Sequence, residues 1–288
     1  MVKKFAFLLF KVISFFNYLF FKVTNKNFLI YFKQILRDDS YQSLEILSRN
    51  VNFFIPSPIT KWRVETFFSK EPETLEWIDN FDINKKIKFW DIGGNIGLYS
   101  IYAAIKYQNI DITVFEPSTS NLQVLSRNIS INKLNEKIKI CQIPLTNKEN
   151  LFLSMKESQL EEGGALNCYG ENFNFEGKKF IEKNSYKIYG TSINYFLNNK
   201  ILEIPNYIKI DVDGIEHLIL LGASKWLKNL NIKSLSIEIN DNFKDQHDKV
   251  LKIMKKNNFK ILHKKHNEKI FLNKVSKFSK SYNYVFVR

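Results

Sequence analysis

The residues of this chain that could do chemistry fall in three places. In the first, Trp90-Asp91-Ile92-Gly93-Gly94-Asn95-Ile96-Gly97, an apolar run over 87–92 breaks into glycines and then into the helical pattern of 98–105. Strand, glycine turn and helix together bring backbone N–H groups and a helix N-terminus up to a ligand. The second is Glu116, which ends the apolar run 112–115. It lies about 20 residues beyond the turn, where an acid grips the hydroxyls of a nucleoside ribose. The third is Asp211 with Asp213, after the apolar run 207–210, joined by Glu238 in the run 235–239.

The spacing at the first place separates two cofactor classes. A dinucleotide fingerprint is Gly-x-Gly-x-x-Gly, with bare backbone for a pyrophosphate. Here the order is Asp91-x-Gly93-x-Asn95-x-Gly97, with an acid opening the turn and no third glycine at the dinucleotide spacing. Asp91 would oppose a pyrophosphate but suits a ligand that presents hydroxyls and an ammonium group. The pattern favours S-adenosylmethionine over NAD, with Asp91, Gly93, Asn95, Gly97, Glu116 and Asp211 as the cofactor residues.

The elements needed to hold these groups are readable. Alternating apolar strands and helices predict an open α/β sheet, in which groups at the carboxyl ends of neighbouring strands converge on one crevice. If 207–210 lies beside 87–92, then Asp91, Glu116, Asp211 and Glu238 end four successive strands. Residues 118–132 read as a helix with Leu122, Leu125 and Ile129 on one side, and 138–143 as the third strand. Residues 261–262 and 284–287 read as closing strands. Upstream, 38–49 reads as a short helix and 51–55 as a strand, and Pro56-Ser57-Pro58 marks a domain edge. Trp62 and Arg63 are lid candidates. Residues 145–200 are the least legible stretch: 151–153 and 187–189 suggest strands, with Glu161-Glu162-Gly163-Gly164 and Gly170 in loops. Insertions of this kind usually carry acceptor specificity.

A chain of 288 residues fits one α/β domain with an appendage. We divide it into an extension over 1–55 and a catalytic domain over 56–288. The formal charge is +14, yet of 43 basic residues only Arg37, Arg49, Arg63, Arg127 and Arg288 are arginine. A nucleic-acid surface would use more arginine for bidentate contacts, so no nucleic-acid partner is expected. Cys141 and Cys168 form no disulfide framework, which points to the cytoplasm, and no metal-ligand spacing is present. His247, His263 and His266, among the lysines of 244–280, read as solvated. Residues 1–36 carry Lys3, Lys4, Lys11, Lys22, Lys26 and Lys33, no acid, and many Phe, Leu and Ile. The uncharged runs 5–10 and 12–21 are shorter than the ~20 residues of a spanning helix. A basic amphipathic helix packed on protein or in peripheral contact with a membrane's inner face is the expectation.

The joint pattern resembles the FkbM family of S-adenosylmethionine-dependent methyltransferases. The resemblance rests on residues 90–99, on Phe115-Glu116-Pro117, on Ile208-Lys209-Ile210-Asp211-Val212-Asp213-Gly214-Ile215-Glu216 and on Ile237-Glu238-Ile239. It runs from about residue 60 to the end. It implies a class I methyltransferase fold, a Rossmann-like seven-stranded sheet with the last strand antiparallel, and O-methylation, commonly of sugars or polyketide-like hydroxyls. Asp213 stands where many members carry Glu, and Asn194 where many carry Asp. An alcohol needs help to lose its proton, so Asp211 or Asp213 is the expected base, with Glu238, Glu216 or His217 in support. The competing reading is a metal-dependent glycosyltransferase clamping a nucleotide-sugar with Asp211-x-Asp213. That chemistry needs neither the glycine turn nor Glu116.

Overall fold

The structure, a computed structural model, describes residues 1–266 and 278–288. Lys269, Lys274 and Lys277 of the basic stretch lie outside the described residues. The chain forms two compact units, Met1–Gln42 and Ser43–Arg288.

The first unit is a pair of helices, α1 (Val2–Thr24) and α2 (Leu29–Asp38), with no buried residue in either. Asn25, left-handed at φ 55, ends α1 by donating its N–H to the Phe21 carbonyl. Asn17 Oδ1 accepts the first N–H of α2, from Leu29, at 2.9 Å. Because the helix runs unbroken through Lys11, α1 is long and apolar enough to cross a membrane by length and composition. Counting uncharged runs alone misses this.

The boundary between the units falls inside β1 (Tyr41–Ile46), which pairs with β2 (Arg49–Phe54) as a hairpin. The helix expected over 38–49 is thus largely strand. Leu47 and Ser48 both take left-handed φ, 50° and 60°, the two-residue turn that matches strand twist. Neither residue type signals it. Ser57 then caps α3 (Pro58–Glu65), its side chain accepting from Thr60 N and its own N–H donating to Thr60 Oγ1. α4 (Phe67–Lys70) and α5 (Pro72–Asp79) follow.

The sheet is built from β3 (Ile87–Ile92), α6 (Leu98–Lys106), β4 (Ile110–Phe115), α7 (Thr119–Ile131) and β5 (Ile138–Cys141). An inserted three-stranded sheet of β6 (Leu151–Glu157), β7 (Cys168–Tyr169) and β8 (Asn184–Gly190) comes next. The chain then continues through α8 (Ile193–Asn198), β9 (Tyr207–Ile210), α9 (Glu216–Leu221), β10 (Ser234–Asn240), α10 (Lys244–Lys256), β11 (Lys260–Lys265) and β12 (Ser281–Val287). The seven strands run β11-β12-β10-β9-β3-β4-β5. β12 is antiparallel to both neighbours, and the β10-β9-β3-β4-β5 pairs are parallel. Strand order reverses at β3, so the crevice opens beyond β3, β4 and β9.

Register places the chemistry. Ile92 pairs with Phe115 and with Ile210, and Ile210 with Ile237. One step beyond each lies a row across the sheet edge: Glu116, Gly93, Asp211 and Glu238. Asp91 lies two residues short of that row, inside β3, so three of the four expected acids share one level. The strand ends approach closely here, since a Cβ on Gly93 would sit 1.9 Å from the Asp211 carbonyl oxygen. Gly93 also has φ +87. Gly93→Ala is expected to cost roughly 2–5 kcal/mol of unfolding free energy, from the left-handed backbone and the forced parting of two strands. A urea midpoint equal to wild type would contradict this.

Candidate active site

A cavity of about 500 Å³ lies over that row. Its floor is the glycine turn. Gly93 and Gly94 donate their N–H groups to the Phe115 carbonyl at 2.9 and 3.1 Å, tying the turn to β4. Asn95, left-handed at φ 51, donates its N–H to Glu116 Oε2 at 2.8 Å, and Ser118 N donates to Glu116 Oε1 at 2.8 Å. Glu116 is thereby fixed at the cavity wall, and burial pushes its carboxyl up to about 7. Asp91 has another role. It is 1% exposed and accepts from Ser100 Oγ at 2.7 Å, in the first turn of α6. It holds the turn from below and does not line the cavity. Burial also raises its carboxyl. Gly97 does not line the cavity either; a Cβ there would meet Leu125 of α7 at 2.6 Å. Of the expected cofactor residues, Gly93, Asn95, Glu116 and Asp211 reach the cavity, while Asp91 and Gly97 shape what reaches it.

The least legible stretch supplies the roof. Arg63 Nε donates to the Gly163 carbonyl at 2.6 Å, and Asn95 Nδ2 and Asn121 Nδ2 donate to the Gly164 carbonyl at 2.8 and 3.0 Å. Asn121 Oδ1 accepts from Gly163 N at 2.8 Å, and Asp213 Oδ2 from Leu166 N at 2.6 Å. Gly163, at φ +79, passes so close to Thr60 that a Cβ would lie 2.9 Å from its methyl group. Arg63 therefore straps the roof down, and Trp62, 44% exposed, lines the cavity beside it.

The acids at the other end are organised by a buried cation. Lys209, 2% exposed, lies 2.8 Å from Asp211 Oδ2 and over the Tyr99 ring. Burial opposes its charge, but Asp211, Asp91 and Glu71 outweigh that and raise its pKa. Burial likewise opposes ionisation of Asp211, yet the Lys209 and Lys70 charges hold its carboxyl down at about 2. Asp213 is pushed up to about 6 by burial and by the Asp211 charge. Glu238 goes well above the carboxylate range for the same two reasons and hydrogen-bonds to Asp211. Asp211, Asp213 and Glu238 each offer an oxygen within 4.8 Å of the others, a grouping that could hold a divalent cation. Lys70 pairs with Glu71, which accepts from Tyr99 Oη at 2.9 Å. Glu73 and Asn283, hydrogen-bonded at 2.9 Å, close the far end with His266, which thus lines the cavity where a solvated position was expected.

Glu216 and His217 lie outside the cavity. Glu216 accepts from Val212 N and Gly214 N and so stabilises the turn carrying Asp213, while His217 is buried against Phe173 and Phe243. Asn194 also lies elsewhere, its Oδ1 accepting from Lys225 N at 3.1 Å. The signal that finds Lys209 is a lysine in an apolar strand two residues from an acid, since i and i+2 share a strand face. Lys70, Glu71, Asn121 and Asn283 carry no such signal.

An open sheet of this strand order, with the last strand reversed, a glycine turn at the switch point and an acid ending the second strand, defines a class I S-adenosylmethionine-dependent methyltransferase. The sequence signature described as "Methyltransferase FkbM domain" matches residues 91–261, and the chain belongs to that family. Over 154 residues it is 28% identical to Methyltransferase sdnD of Sordaria araneosa, covering 47% of this chain and 60% of that protein, less than two thirds of the relative's length. Similar solved structures include precorrin-6y C5,15-methyltransferase of Geobacter metallireducens (TM-score 0.44, 12% identity, 76% of this chain and 89% of that one). A SAM-dependent methyltransferase of Aquifex aeolicus is also similar (TM-score 0.42, 10% identity, 82% and 100%).

The cofactor is S-adenosylmethionine, and the residues fit it. The cavity has nucleoside-ligand size, Glu116 is fixed on its wall, and Asn95 Oδ1 is buried with no hydrogen-bond partner among the described residues. Neither fold nor family supports the nucleotide-sugar clamp reading of Asp211 and Asp213.

The Lys209–Asp211 pair contributes stability that is complete above pH 3.8 and lost as pH falls towards 2, because the folded carboxyl titrates below its ordinary value. Lys209→Met is expected to cost about 3–5 kcal/mol by leaving buried carboxylates uncompensated. Adding Asp211→Asn should recover part of that loss. Urea unfolding of both variants checks it, and a neutral single substitution would contradict it.

Proposed function

We propose that the protein transfers the methyl group of S-adenosylmethionine to a hydroxyl oxygen, on a sugar or on a glycan or glycolipid precursor. One observation carries the reading: Asp211, Asp213 and Glu238 share a single cavity with the glycine turn and Glu116. A proton acceptor thus stands beside the cofactor end.

When bound, S-adenosylmethionine supplies an electrophilic methyl group on a sulfonium. Glu116 and Asn95 hold the nucleoside end, with Asp91 and Gly97 keeping the turn in shape. Aligning two reactants in one enclosed site accounts for the largest share of the gain, on the order of 7–11 kcal/mol. Asp213 is the better base. Its carboxyl, at about 6, titrates near working pH, whereas Asp211, at about 2, is ionised but a poor proton acceptor. Asp211 and Lys209 act as a fixed charge pair, and Glu238, raised by burial and by the Asp211 charge, hydrogen-bonds to Asp211. With Lys209 and Lys70 supplying positive charge, the deprotonation does not call for a metal ion. Glu73, Asn283 and Lys70 favour a hydroxyl-rich acceptor, and Trp62 offers a flat face for a sugar ring.

The test is methyl transfer to a panel of sugars, glycosides, amines and thiols, with and without EDTA. O-methylated sugar formed in both conditions is expected; methylation confined to nitrogen or sulfur would overturn the reading. The rate should rise through pH about 6 as Asp213 loses its proton, then level off. Asp213→Asn should lower kcat by about 100-fold or more while the affinity for S-adenosylhomocysteine holds within a few fold. A rate unchanged in that variant would remove Asp213 as the base.

A further inference from the structure

The first unit presents a surface that the catalytic site does not use. At about 100° per residue, Phe5, Leu8, Leu9, Val12, Phe16 and Leu19 of α1 fall in an arc of roughly 100°. All are exposed; Phe5 and Phe16 are 66% and 58% accessible. Lys4, Lys11 and Lys22 cluster within roughly 20° of one another at one edge of that arc. Residues 1–36 contain six lysines and no acid.

We propose that residues 1–38 form a helical hairpin that lies in the plane of an anionic lipid surface, apolar arc down and lysines at the phosphate level. The charge selects the occupant. An apolar face edged by lysines, with no acid before Asp38, complements acidic headgroups over acyl chains.

The hairpin geometry selects the orientation. Although α1 is long enough to span, α2 folds back along it. Its first N–H is held by Asn17, near the middle of α1, and the Lys33 ammonium sits over the Phe10 ring at 5.6 Å. A spanning α1 would carry Lys33 and Arg37, together with its own Lys11, to hydrocarbon depth, where charged side chains are strongly disfavoured. Lying flat, the same hairpin keeps Lys4, Lys11 and Lys22 at the headgroups, with the exposed Phe7, Phe15 and Tyr18 rings beside them at the interface, and immerses the apolar arc.

The test is flotation of the full chain, at low salt, with vesicles of phosphatidylcholine alone or mixed with phosphatidylglycerol. Recovery with the mixed vesicles only, falling as salt rises, is expected. Lys4/Lys11/Lys22→Gln should lower partitioning on the order of 100-fold, as the loss of three headgroup-level lysines implies. Leu9/Phe16→Ser should also release the chain from the mixed vesicles. Both variants should bind S-adenosylhomocysteine as wild type does, showing that the catalytic unit is intact. Three outcomes overturn the proposal: no flotation with either vesicle, as when copies of the chain bury the face on one another; equal recovery from neutral vesicles, the signature of spanning insertion; and binding unaffected by Leu9/Phe16→Ser.

Discussion

One buried ammonium group sets the electrostatics of this site. Lys209 is enclosed within the central parallel strands, beside Asp211 and within the influence of Asp91 and Glu71. A buried cation persists only where acids compensate it, and buried acids only where a cation or hydrogen bonds compensate them. The two needs meet in β9. Asp211 stays ionised because of Lys209, and Asp213 and Glu238 hold their protons more tightly because both are buried and the ionised Asp211 adds to that. Burial and a single ion pair thus set three neighbouring carboxyls apart: one held low, at Asp211, and two raised, at Asp213 and Glu238.

The backbone around this pair leaves little freedom. Gly93 and Asp211 nearly touch, and a Cβ on Gly94 would lie 2.1 Å from the Val114 side chain, so the turn has no room for a side chain at either glycine. Asp91 fastens the turn to α6, and Glu116 fastens it to β4. The roof over the cavity, in contrast, hangs on hydrogen bonds from Arg63, Asn95, Asn121 and Asp213 to one short glycine-bearing loop. Floor and roof share Asn95, so the glycine turn also helps hold the segment that covers the cavity.

Much of this was legible because it obeys local rules. Apolar strands ending in acids or glycines give away β3, β4, β9 and β10, and the family resemblance matches the observed sheet order. The limits are instructive. Asp91 reads as a ligand group, yet a strand ends one residue later than its acid suggests, and two residues of rise put its carboxylate under the turn. The second strand of the hairpin at 41–54 is legible, but the first reads as helix, because the turn uses Leu47 and Ser48, residue types that do not announce a left-handed backbone. Residues 145–200 resist because their glycines answer to distant partners, Gly163 to Thr60 and Gly190 to the Tyr169 ring. His266 reaches the cavity only through the pairing of β11 with β12, which no local pattern encodes.

The account stands or falls on the nucleoside end of the cavity, and calorimetric titration with S-adenosylhomocysteine, on wild type and on Glu116→Gln, tests it most directly. At about pH 8 or above, where Glu116 is ionised, one binding site per chain is expected, weakened by about 1.5–3 kcal/mol when the charged hydrogen-bond acceptor at position 116 is neutralised. A folded wild-type protein that gives no heat, or a Glu116→Gln variant that binds as tightly as wild type, would contradict the assignment of this cavity to the cofactor.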